Sequence, residues 1–114
     1  MFKSLNQHSR MLINNIENGF HNHPNYRDYS VRNYCYNINE GVQALEVYKN
    51  GKFVNLWLFF PDENGKIESI ALYGSYLQGH YNAMRQSMRV FGLRITDICF
   101  DSGVSDFLDI HIDY

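Results

Sequence analysis

No run of apolar residues in this chain approaches a membrane span; the longest, LWLFF at 56–60, falls far short. The opening residues MFKSLNQHSRMLINNIENG are too polar for the core of a secretory signal, so a cytoplasmic location is the expectation. Cysteine is scarce, with Cys35 and Cys99 alone. That excludes a disulfide-stapled scaffold, and in a reducing compartment the pair is expected as two buried free thiols. Charge of one sign is missing as well: ten basic residues stand against twelve acidic, a net charge of −2. Such a chain has no overall field for gathering phosphates or anionic lipid, so neither nucleic acid nor a membrane is expected as a partner. Arg85 and Arg89 then read as the solvated face of a helix. There is no internal repeat, low-complexity tract, glycine-rich phosphate loop, dinucleotide fingerprint or nucleophile elbow. No cofactor is therefore expected.

What is present is a globular composition: 45% hydrophobic and 16% aromatic residues in 114 positions, enough for one self-sufficient core. Residues 1–114 are expected to form a single α+β domain. Ser4 and Gln7 make a capping box, Leu5, Leu12 and Ile16 recur at helical spacing, and Gly19 follows as a stop, which predicts a helix over 4–18. A polar connection over 19–28 leads to a strand over Tyr29–Ile38. Asn50-Gly51 supplies the two positive-φ residues of a type I′ turn between apolar strands. Counted back from that turn, Tyr48 pairs with Phe53, Val47 with Val54, Leu45 with Leu56 and Ala44 with Trp57. One face would then carry Leu45, Val47, Val54, Leu56 and Leu58, and the other Tyr48, Phe53, Trp57 and Phe59. Either a helix covers this second set or some of it stays at the surface as anchoring aromatics.

After a PDENG loop and a strand near 66–73, Ser75 and Gln78 open a helix over 75–91. Leu77, Tyr81, Met84, Met88 and Phe91 form its apolar stripe, and Gly79 inside it suggests close packing. The closing residues alternate as a C-terminal β-hairpin around DSGVS. The fold expected is one antiparallel sheet of about five to six strands with two helices.

Charge placement carries the functional reading. Residues 95–114 hold five aspartates, Asp97, Asp101, Asp106, Asp109 and Asp113, and no lysine or arginine. Paired as a hairpin, they make a patch of negative potential that steers a basic partner. The segment GFHNHPNYRDYSVRNYCY adds Tyr26, Tyr29 and Tyr34 among polar residues, a composition suited to binding loops, and Trp57 is a candidate anchor. His21 and His23 have no paired ligand spacing to go with Cys35, so they read as surface residues. The expectation is a protein-binding inhibitor that occludes a basic partner surface. Immunity proteins to toxins and phage-encoded inhibitors of bacterial defence, anti-CRISPR proteins among them, work this way; size and acidity alone suggest the analogy. The alternatives are a metal-dependent hydrolase or nuclease built on Asp97, Asp109, His111 and Asp113, and a homo-oligomeric structural subunit.

Overall fold

Asn50 and Gly51 lie at φ 52° and 79°, and through them β2 (Val42–Lys49) turns back into β3 (Lys52–Pro61) as the NG dipeptide requires. β1 (Tyr29–Asn37) precedes this hairpin and β4 (Ile67–Gly74) follows it, so that β1 to β4 form a continuous antiparallel meander. Two helices, α1 (Gln7–Asn22) and α2 (Leu77–Val90), accompany the sheet, and the chain is α+β as expected. β5 (Arg94–Phe100) and β6 (Phe107–Asp113) follow α2. This computed structural model describes residues 4–90, 94–100 and 107–113, by backbone alone at Gln78 and Met84 and from Gln86 onward.

α1 begins three residues later than the capping box suggests and runs past Gly19. Its cap is Asn6, whose Oδ1 accepts from the Ser9 N–H at 2.9 Å. The residues before it are claimed by a tertiary contact instead: the Asn6 N–H donates to the Gly65 carbonyl at 2.8 Å. Gly19 lies inside the helix, with its own carbonyl accepting from His23 N–H at 3.0 Å. Phe20, one position on, is completely buried with Leu12, Ile13 and Ile16. Burying that ring is worth about 2–3 kcal/mol, against about 1 kcal/mol for a glycine within a helix, so packing carries the helix through. In α2, Leu77 and Tyr81 are buried and Asn82 and Arg85 exposed, as the periodicity predicts. Met84, Met88 and Phe91 lie outside the described side chains. The close packing expected at Gly79 is not found, since a Cβ built there meets nothing within 4 Å.

The hairpin register departs from the count along the sequence. Tyr48 pairs with Phe53, but Val47 pairs with Asn55, Leu45 with Trp57 and Ala44 with Leu58. Val54 is therefore the extra residue of a β-bulge, and every pair beyond it shifts by one. A one-residue shift exchanges the faces. Leu45 and Val47 share a face with Trp57 and Phe59, not with Leu56 and Leu58. The bulge frees the Val54 carbonyl, which accepts from Ser75 N–H at 2.9 Å where the chain leaves β4 for α2. Gly74, at φ 116°, permits this approach, because a Cβ there would stand 2.5 Å from the Val54 oxygen.

The sheet thus has two unlike faces. The inner one packs Leu45, Val47, Trp57, Phe59, Ile70 and Leu72 against Leu12, Ile16 and Phe20 of α1 and Leu77 and Tyr81 of α2. On the outer one, Val42, Ala44, Leu58 and Ala71 are buried beneath Tyr34, Leu56 and Phe60, and among the described residues no helical one belongs to that cluster.

Candidate functional site

Trp57 is a core residue, which corrects its expected role as a surface anchor. The bulge turns it onto the inner face, where it is wholly buried and meets Phe20 edge-on at 6.1 Å between centroids. Phe59 is likewise buried, Tyr48 is half-buried, and Phe53 is 54% exposed. The tyrosines expected to act together are divided by the strand alternation. Tyr26 and Tyr29 lie 4.9 Å apart and pack on the inner cluster, whereas Tyr34 belongs to the outer one, with the Arg32 guanidinium 4.9 Å from its ring centroid. Burial raises the hydroxyl pKa of all three, so they act as neutral donors and acceptors. His21 is exposed, and His23 accepts at Nδ1 from Asn25 N–H at 3.1 Å, capping the 3₁₀ turn Pro24–Tyr26. Cys35 is a free thiol and exposed, not buried as expected.

Among the described residues no group of three or more His, Cys, Asp or Glu could hold a metal ion. Asp97, Asp109, His111 and Asp113 are described by backbone alone, and Asp101 and Asp106 lie outside the described residues.

Two polar residues that the sequence reading passed over meet in the core. Asn55 and His80 are both buried. Asn55 accepts at Oδ1 from the Trp57 indole N–H at 3.2 Å and donates from Nδ2 to the Ser75 carbonyl at 3.0 Å, which fixes the amide's orientation. Its Nδ2 also lies 2.8 Å from His80 Nδ1, so that nitrogen is an acceptor and the ring proton sits on Nε2. Phe20, Tyr26 and Tyr29 surround the imidazole at 5.1–5.3 Å between centroids, and Tyr76 stacks on it at 6.2 Å. Burial lowers the His80 pKa to about 4, so the ring is neutral at pH 7. The signals were a single asparagine within FVNLWLFF and a histidine between Leu77 and Tyr81 on the apolar stripe. The cluster joins α1, β1, β3 and α2 through one ring.

The outer face is the surface best suited to an external partner. Tyr36, Phe53 and Tyr73 are 55%, 54% and 41% exposed around the buried outer cluster. A cavity of about 220 Å³ opens at its edge, walled by Val42, Phe60 and Pro61 and flanked by the carboxylates Glu40 and Glu68. Farther along the face, Glu46 is largely covered and has Arg32 as an ion-pair partner at 3.5 Å, with no hydrogen bond to Oε1. An apolar wall with carboxylates at its mouth suits a long basic side chain, whose methylene stem packs while its cationic head is neutralised.

No protein-family model matches this chain, and no curated protein or solved structure is significantly similar to it.

Proposed function

We propose that this protein binds another protein in the cytoplasm and occludes a basic surface on it, using the outer face of the sheet. The reading rests above all on an aromatic sheet face over which no described helical residue packs, ending in a cavity flanked by Glu40 and Glu68. Large apolar patches rimmed by charge are where partners dock, and exposed tyrosine and phenylalanine supply the contact area.

In this reading the C-terminal ribbon extends both the sheet and its acidity, giving a six-stranded order β1-β2-β3-β4-β6-β5. The backbone register supports it: Ala71 stands opposite Asp109 and Ser69 opposite His111, while Asp97 pairs with His111 and Cys99 with Asp109. Ser69 and Ala71, the β4 residues opposite His111 and Asp109, alternate with the inner-face Ile70 and Leu72. The aspartates then act through long-range attraction, which speeds encounter more than it tightens the complex. Among activities of this kind, inhibition by steric occlusion fits best, in the manner of immunity proteins or phage-encoded inhibitors of bacterial defence.

Affinity capture from the native host followed by mass spectrometry would identify the partner, and stopped-flow binding would then test the mechanism. Asp109→Asn with Asp113→Asn should slow association and flatten its salt dependence, and Glu40→Gln with Glu68→Gln should speed dissociation. Unchanged kinetics in both pairs would refute the assignment. The same face supports a second reading, self-association, for which light scattering across a concentration series is the direct measurement.

A further inference from the structure

On the inner face, between α1 and the edge strands β1 and β2, the surface turns polar and the helix does not fill it. Two cavities of about 350 and 240 Å³ open between α1 and the β1–β2 ladder, and Arg10 and Gln43 line both. Asn14 and Asn33 complete the polar wall of the larger one over Ile13. The amides are organised: Gln43 Nε2 donates to Asn33 Oδ1, and Asn33 Nδ2 donates to Glu17 Oε2 at 3.4 Å. Glu17 is thereby bonded to an amide, and no carboxylate among the described residues makes an ion pair with Arg10.

We propose that this groove binds a small organic monocarboxylate carrying hydroxyl groups, with the carboxylate on Arg10 and the hydroxyls on Asn14, Asn33 and Gln43. A guanidinium matches a carboxylate as a planar fork, and a single cation balances a single negative charge, whereas a phosphate dianion would leave excess charge. Carboxamides both donate and accept, which is what a hydroxyl needs. The larger cavity lies at the low end of the roughly 300–1,000 Å³ typical of small-ligand sites, and the smaller one adjoins it through Arg10 and Gln43; Ile13 and Leu5 supply apolar lining. The groove lies on the opposite side of the sheet from the partner face, so either assignment can fail without the other.

The test is titration of the full ¹⁵N-labelled chain with D-gluconate and D-galacturonate at millimolar concentrations. Saturable shifts are expected in the side-chain amide signals of Asn14, Asn33 and Gln43. Arg10→Gln should weaken binding at least about ten-fold, the loss of one charged anchor. Neutral D-gluconamide should not bind, and Arg85→Gln, on α2 and not part of the groove lining, should leave binding unchanged. Absence of saturable shifts with both acids, equal binding by Arg10→Gln, or shifts confined to the backbone amides of the β1 edge would each overturn the proposal.

Discussion

Acidification should weaken this fold through one imidazole. His80 is 3% exposed, and burial lowers its pKa to about 4 from an ordinary 6.5. Between those values the unfolded chain takes up a proton at this residue that the folded chain refuses, so the stability associated with neutral His80 is complete above pH 6.5 and lost as the pH falls towards 4. The slope approaches about 1.4 kcal/mol per pH unit, and the loss reaches about 2 kcal/mol at pH 5. His80→Gln is the matched control, because a glutamine oxygen can accept from Asn55 Nδ2 without titrating. Urea unfolding of both proteins at pH 7, 6 and 5 gives the difference in stability, free of the carboxylates common to both. The gap in favour of the native protein should narrow by about 2 kcal/mol between pH 7 and 5, a midpoint change of roughly 1–2 M urea. A gap that stays constant over that interval would show that the imidazole is protonated in the folded protein, and the aromatic enclosure would then be wrong.

Gly79→Ala should stabilise the protein by about 0.5–1 kcal/mol, read as a rise in thermal midpoint, because the added methyl meets nothing within 4 Å and the helix gains in propensity. Gly65→Ala should do the opposite and cost about 2 kcal/mol or more. At φ +80° its Cβ would stand 2.7 Å from the Ser4 carbonyl oxygen and 2.9 Å from the Asn6 nitrogen, and chemical denaturation measures the loss. Asn55→Ala strips the partners from the Trp57 indole, the Ser75 carbonyl and His80 Nδ1 together, so a loss of about 3 kcal/mol is expected, with a change in tryptophan emission from the single Trp57.

Much of the fold was legible wherever a local rule was enough. The Asn50-Gly51 turn needs only two residues that tolerate positive φ, and Leu12 and Ile16 mark the buried face of α1 without reference to the rest of the chain. The functional residues were harder. Trp57 looked like a surface anchor because a strand apolar on both sides hides which side is wet. His80 passed unnoticed because a histidine on an apolar stripe declares itself only when Asn55, 25 positions earlier in the chain, comes into hydrogen-bonding reach. Glu40 and Glu68 are unremarkable in sequence and become a pair only across the cavity that Val42 and Phe60 wall.

The order of elements from α1 through α2, the Asn50-Gly51 turn and the concentration of aspartates after residue 94 were written into the sequence, since each depends on neighbours a few residues apart. The tertiary structure alone decided which face each β3 side chain takes, because the bulge at Val54 goes with a hydrogen bond from Ser75, at the end of the neighbouring strand. A period of two amplifies that single choice: one inserted residue exchanges inside for outside for the rest of the strand, buries Trp57 in the inner core, and turns Leu56 and Leu58 to the opposite face.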